Sequence, residues 1–175
     1  MTDTPLSDTP ATVPPAVSPL VRPLDLTDDA TAAAVYRVGR AAYTVEAELI
    51  GFDGIPALRE SLAELRARPL NWLGAVSPAG EVAGFLAWER VAEPGAARAE
   101  ASIDRLCVDP AWFRRGIGSL LLRHLLDDVL PGRSVGVTTG AANTPAMTLY
   151  PRMGFTRGAD FSPVPGLVMA SFTRP

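Results

Sequence analysis

The sequence contains no lysine; all 16 of its basic residues are arginine. That excludes Schiff-base catalysis and a phosphate loop of the Gly-Lys-Ser/Thr type, both of which need a primary amine on a side chain. There is one cysteine, Cys107, and one histidine, His124. An internal disulfide is therefore impossible, and no metal site is expected, because a structural zinc needs four Cys or His ligands. No apolar run approaches the roughly 20 residues that cross a bilayer. The first residues also lack the basic segment and apolar core of a secretory leader. A cytoplasmic location without membrane partners is the expectation. Acidic residues, 19 in number, outnumber the basic ones, and the net charge of −3 argues against a nucleic-acid partner, which calls for a basic face.

What is present suits one globular domain. The 175 residues are 47% hydrophobic and 20% charged, enough for one substantial core and too few for two. Residues 1–19 hold five prolines among Thr, Ser and Asp. They read as a disordered tail ahead of a single domain over 20–175. "LVRPLDL" (20–26) reads as a first strand. Thr27 or Asp28 then caps a helix through about Tyr43, with Asp28 and Asp29 near its positive end. "IGFDGIP" (50–56) reads as a loop and "ALRESLAELRAR" as a second helix. "NWLGAVSPAGEVAGFLAWERV" reads as two strands joined at a Ser77–Gly80 turn, and "EASIDRLCV" (100–108) as a further strand. A helix over 116–130, a buried strand "SVGVTT", a short helix over 144–153 and two terminal strands complete the order. Strands in succession followed by a strand–helix–strand–helix unit predict an α/β fold with a mixed sheet covered on both faces.

The most specific stretch is "DPAWFRRGIGSLLLRHLL" (109–126). Two glycines, Gly116 and Gly118, open a leucine-rich helix although each costs about 1 kcal/mol there relative to alanine. A helix start offers unpaired amides and a partial positive charge, and glycine removes the side chains that would hold an anion away. Arg114 and Arg115 add charge-assisted donors. The pattern is a poor dinucleotide fingerprint, since Leu121 occupies the third glycine position.

In its surroundings the stretch resembles the GNAT superfamily of acyl-CoA-dependent N-acetyltransferases. "LCVDPAWFRRGIGSLLLRHLL" is similar to that family's strand, turn and pyrophosphate loop. "NTPAMTLYPRMGF" (143–155) is similar to its following helix, with Asn143, Ala146, Leu149, Tyr150, Gly154 and Phe155 at the family's spacing. The resemblance implies a mixed, mostly antiparallel, splayed sheet of about six to seven strands, with helices on both faces. It implies acetyl-CoA as cosubstrate, its pantetheine arm paired with the backbone of Leu106, Cys107 and Val108. Its pyrophosphate would be wrapped by Arg114, Arg115, Gly116, Ile117, Gly118 and Ser119, and Asn143 would contact the cofactor. Tyr150 would protonate the departing thiolate, and a backbone N–H near Cys107 or Val108 would hold the oxyanion. The acceptor is a small-molecule or peptide amine, and a homodimer is an assembly common in the superfamily.

Two positions depart from the family pattern. Phe113 stands where Gln or Arg is usual, which removes one side-chain contact but leaves the amides. Thr138 stands where the branch acetylating protein N-termini carries glutamate, which argues against ribosomal-protein acceptors. The general base is then Glu100, with Asp104 or a water relay as alternatives; period-two alternation puts the two carboxylates on one face. Arg98 and Arg105 are available to pair with them instead. Glu46, Glu48 and Asp53 can hold a cationic amine, though surface carboxylates are the plainer reading. His124 reads as packed among leucines, Cys107 as an apolar filler, Asn143 equally as a turn residue, and Pro151 as a kink in the last helical turn. Two other functions share these motifs: an acyl-CoA sensor without turnover, and a nucleotide-binding protein using the same helix end.

Overall fold

A computed structural model describes residues 18–91 and 99–175. The proposed tail lies outside the described residues as far as residue 17, and so does Arg98. The chain runs β1 (Leu20–Pro23), α1 (Asp29–Ile50), α2 (Leu62–Ala67), β2 (Asn71–Val76), β3 (Val82–Arg90), β4 (Ala101–Val108), α3 (Ile117–Arg123), β5 (Val135–Gly140), α4 (Thr144–Arg152), β6 (Thr156–Val164) and β7 (Leu167–Arg174). All seven strands form one sheet in the order β1-β2-β3-β4-β5-β7-β6. Every pairing is antiparallel except β4 with β5.

That parallel pair is short. It joins Ala101, Ser102 and Ile103 to Val135, Gly136 and Val137, then ends, although β4 continues to Val108 and β5 to Gly140. Past Ile103 the two strands part, and the β5-facing side of β4 has no strand neighbour. The sheet is splayed at its centre.

The core lies in two layers. On one face, Leu121, Leu122, Leu125 and Leu126 of the helical stretch after Gly116 pack with Leu86, Ile103, Val135, Tyr150, Phe155 and Phe172. On the other, Val35 and Val38 of α1 pack with Leu65, Trp72, Phe85 and Cys107. Each fully buried Leu, Val or Phe contributes about 1.5–3 kcal/mol, so both helical layers are held mainly by these stripes. β4 faces both layers, as any covered strand does, and a bulge shifts which of its residues meet which layer. Trp88 pairs with Ile103 and Ala87 with Arg105, which leaves Asp104 as the extra residue. Ile103 and Leu106 therefore share the α3 face, while Cys107 joins the α1 face.

Local departures from the sequence expectation have identifiable causes. α1 does not stop at Tyr43 but runs to Ile50, where Gly51 closes it in the left-handed region at φ 65°. β-Branched Thr44 and Val45 weaken the local signal, but the last turns pack on the end of β5. A Cβ on Gly140 would fall 2.6 Å from Ile50 Cγ2. The single helix expected over 57–68 is a 3₁₀ turn (Pro56–Leu58) and then α2, restarted by a capping box. In that box the Glu64 amide donates to Ser61 Oγ at 3.2 Å, and Glu64 Oε2 accepts from the Ser61 amide at 2.7 Å. α3 passes directly into a π-helical stretch (His124–Val129), whose wider turn keeps Leu125 and Leu130 both buried. Pro145 occupies the first turn of α4, and Pro151 sits one residue from its end. There the helix terminates without a break before Tyr150.

Candidate active site

The turn before α3 is built from backbone strain. Arg114, a non-glycine residue, has φ 61°, and Gly116 has φ 75°. A side chain in that region costs about 1–2 kcal/mol, which only glycine escapes. A Cβ on Gly116 would meet nothing within 4 Å, so the space over the turn is open. Gly118 is needed for a different reason, since its Cβ would lie 3.1 Å from Leu149 Cδ2 of α4. Of the two glycines, only Gly116 clears the approach to the amides; Gly118 lets two helices touch. Ile117 is buried beneath the turn, Phe113 is partly exposed, and the Arg115 guanidinium is drawn back over the Trp112 ring at 5.0 Å. Arg114 and Ser119 remain beside the open side, with Arg114 exposed.

Leu106, Cys107 and Val108 line the parted length of β4, with Leu106 and Val108 toward α3 and Cys107 toward α1. Burial pushes the Cys107 thiol up to about 12, while the Tyr43 hydroxyl beside it acts the other way. Such a thiol is uncharged and inert as a nucleophile.

Tyr150 is 4% exposed, with its ring 5.5 Å from Phe155 and 5.3 Å from Phe172. Burial raises its phenol well above the ordinary value, and the nearby Glu46 and Cys107 act in the same direction. Among the described residues no buried side-chain nitrogen or oxygen lacks a hydrogen-bond partner. The Tyr150 hydroxyl has none within the chain, so it reaches accessible space at the gap.

Asn143 is the N-cap of α4. Its Oδ1 accepts from the Ala146 amide at 3.3 Å and its Nδ2 donates to Thr139 Oγ1 at 3.2 Å. The turn reading therefore holds for Asn143. The same residue also flanks Glu46, which extends from α1 toward the end of β5. Burial raises the Glu46 carboxyl above its usual value, opposed by the Asn143 side chain, the Gly140 backbone and the Thr139 hydroxyl close to it. Glu46 is half-buried, whereas Glu48 and Asp53 are exposed. Tyr43, one helical turn before Glu46, is also raised, chiefly by burial and by Cys107. The parted strands thus bring Tyr43 and Glu46 from one face together with Tyr150 and Asn143 from the other.

The two carboxylates expected as bases sit elsewhere. Glu100 precedes β4 at the closed end of the sheet, roughly 20 Å along the strand from Cys107 at about 3.3 Å per residue. Its Oε1 accepts from Arg133 at 2.9 Å and its Oε2 from the Ser134 amide at 3.1 Å, which together hold its carboxyl below the usual range. These contacts occupy both Glu100 oxygens at the end of the sheet away from the parted strands. Asp104 lies on the α1 side of the sheet, the face that alternation from Glu100 predicts, but its carboxylate is not free. Instead Asp104 joins a closed ion ring with Glu60, Arg68 and Arg105. Arg105 donates from Nε to Asp104 at 2.8 Å and from Nη1 to Glu60 at 2.8 Å, while Arg68 reaches Glu60 at 2.9 Å and Asp104 at 3.0 Å. The ring borders an open cavity of about 700 Å³ between α1, the 54–60 segment, α2 and β4, with Tyr43 on its wall. His124 faces Asp128 at 2.9 Å along its own helix, away from these groups. Among the described residues there is no cluster of three metal-ligating side chains, and no helix is long and apolar enough to cross a membrane.

A mixed sheet parted between its parallel strands, with an open amide turn at the mouth of the parting, defines an acyl-CoA N-acyltransferase type of fold. The chain belongs to the acetyltransferase (GNAT) family, whose profile matches residues 32–155. It is 34% identical over 131 residues to the UPF0157 protein YqkA of Bacillus subtilis, covering 75% of this chain and 36% of that protein. It is 39% identical over 61 residues to the [ribosomal protein bS18]-alanine N-acetyltransferase of Salmonella typhimurium, covering 32% of this chain and 39% of that enzyme. The chain thus spans little more than a third of the length of these relatives. In fold it is similar to the PaiA N-acetyltransferase of Thermoplasma acidophilum solved with coenzyme A. The TM-score is 0.67 at 17% identity, over 89% of this chain and 98% of that one.

Proposed function

We propose that the protein transfers the acetyl group of acetyl-CoA directly to a primary amine, with no covalent intermediate on the chain. The observation that carries this reading is the parting of β4 and β5 after Ile103 and Val137, with Gly116 at its mouth and Glu46 and Tyr150 facing it. The backbone of Leu106, Cys107 and Val108 suits an extended pantetheine arm, which can add to β4 where β5 has left it. The turn from Arg114 to Ser119 suits the diphosphate, because a Cβ-free and open Gly116 leaves its amides accessible. Acetyl-CoA supplies the thioester.

The residues of the chain then divide three tasks. Glu46 takes a proton from the acceptor ammonium. Its carboxyl, raised by burial, is a better base than that of an exposed glutamate. A backbone N–H at Cys107 or Val108 faces the charge that grows on the carbonyl oxygen. Tyr150 stays protonated at every working pH and gives its proton to the sulfur. The transfer is feasible because the same dry surroundings that hold the phenol neutral also make a thiolate more basic. Asn143 holds the start of α4, and so fixes Tyr150 two turns on. Cys107 is left out of the chemistry because its thiol is buried and un-ionised.

The reading further takes the protein as one domain over 20–175. It works in the cytoplasm and apart from nucleic acid, and a homodimer is the assembly to test. The charge of −3 and the lone cysteine support the first two of these, and sedimentation measures the third. The deciding experiment combines acetyl-CoA binding by calorimetry with thiol release over an amine panel. Gly116→Glu should lose acetyl-CoA binding, because a carboxylate would face the diphosphate. Tyr150→Phe should bind acetyl-CoA normally and lose most turnover. Normal turnover by Tyr150→Phe would reduce the site to a binding module.

A further inference from the structure

We infer that the acceptor carries a carboxylate as well as an amine, and that the cavity beside Tyr43 receives the carboxylate. The inference rests on the acetyltransferase reading and deepens it by naming the substrate class.

The cavity holds six charged side chains in apparent balance: Arg59, Arg68, Arg105, Glu60, Glu64 and Asp104. Their hydrogen-bonding capacities are far from balanced. A guanidinium has five N–H donors, and a carboxylate has two oxygens. Both oxygens of Glu60 and both of Asp104 already face arginine nitrogens of the ring. Glu64 has its Oε2 engaged by the Ser61 amide at 2.7 Å and by the Ser61 hydroxyl at 2.7 Å. No carboxylate of the cavity is therefore left without a donor.

The arginines are not used up. Arg105 donates from Nε and Nη1 only, and its side chain is 6% exposed. Among the described residues no buried side-chain nitrogen is without a partner, so Arg105 Nη2 must reach open space, and the cavity is the space that Arg105 lines. Arg68 likewise leaves Nη2 unbonded. Arg59 forms no ion pair among the described residues and stands exposed at the rim. The wall is thus a surface of surplus planar donors held rigid by two carboxylates that cannot move away. Such forks match a carboxylate bidentately.

The amine end has a separate address. Tyr43 lines the cavity, and Glu46 lies one turn further along the same face of α1, about 4.5 Å away along the helix axis. A small zwitterion can therefore place its ammonium at Glu46 and its carboxylate against Arg105 and Arg59. A cavity of about 700 Å³ is of small-molecule size. Free amino acids or ω-amino acids are the class that fits. Simple polyamines leave the donors unmatched, and a peptide N-terminus carries its terminal carboxylate out of reach.

The test uses matched acceptors: amino acids, their carboxamides, their decarboxylated amines, and short peptides amidated at the C-terminus. Thiol release is compared for wild type and Arg59→Gln, with acetyl-CoA affinity measured by calorimetry in both. The acids should exceed their carboxamides by about tenfold or more in kcat/KM, the worth of one charge-assisted pair. Arg59→Gln should lose most of that preference through KM, with acetyl-CoA affinity unchanged. In parallel, N-acetylated amino acids should bind the CoA-saturated protein more tightly than their carboxamides. Equal rates for acids, carboxamides and amidated peptides, or equal binding of the two product forms, overturn the inference while leaving acetyl transfer standing. Absence of acetyl-CoA binding overturns the underlying reading instead.

Discussion

The two walls of the gap between β4 and β5 are built by opposite means. On the α3 side the working groups are main-chain amides, exposed by one left-handed glycine and one strained arginine at φ 75° and 61°. On the α1 side they are side chains: Glu46, Tyr43 and a ring of two arginines and two carboxylates. Backbone donors are the same whatever residue carries them, so the first wall tolerates change in its side chains. The second wall is defined by them.

The sharpest break of this contrast is Glu46→Gln. It should lower kcat by about 10²- to 10⁴-fold, the usual worth of a positioned base, with acetyl-CoA affinity unchanged. The acid limb of the kcat/KM profile checks the sign. Glu46 works only when deprotonated and its carboxyl is raised, so wild-type activity should fall as pH drops through a value above the ordinary 4.5. The variant should lack that limb.

Next in size is Asp104→Asn, read by urea denaturation. It leaves Arg105, almost wholly buried, with one carboxylate in place of two. The expected loss is about 2 kcal/mol, below the full cost of breaking a buried pair because Asp104 is partly exposed. Acceptor KM should rise at the same time. By comparison Arg114→Ala should be mild. Acetyl-CoA affinity should weaken about five- to tenfold, the effect of one exposed charge-assisted contact, and less at high salt. Unchanged kcat in that variant would sharpen the distinction, and a collapse of kcat would erase it. Smallest of all, Glu100→Gln should leave kcat and both KM values where they were. A large loss of turnover there would return the base to the closed end of the sheet.

The same contrast decides how much was legible in the sequence. The α3 wall was readable because a backbone site leaves its mark in residue type: glycine where φ is positive, then a leucine stripe. The strand order, the splay and the positions of Tyr150 and Asn143 came with that motif. The α1 wall was largely hidden. Thr44 and Val45 masked two further helical turns, so Glu46 looked like one surface carboxylate among three. Its neighbours, Asn143 and Gly140, lie about a hundred positions away, and no local periodicity points to them. The Ser61-to-Glu64 capping box stands in the letters, but a longer helical pattern hides it, and with it the break that swings Glu60 toward Arg105. A bulge is equally silent in composition, so strict alternation puts Ile103 and Cys107 on one face, whereas the chain sets them on opposite faces.

That single surplus residue in β4 makes the strand behave as two half-strands of opposite parity. Removing Asp104 would leave every later side chain on its present face, because Arg105, Leu106 and Cys107 already pair in regular register with Ala87, Leu86 and Phe85 and only the surplus residue would go. A deletion after Arg105 would instead turn the side chains beyond it over to the other face. Any redesign of the cosubstrate channel has to count its residues from Asp104 onward.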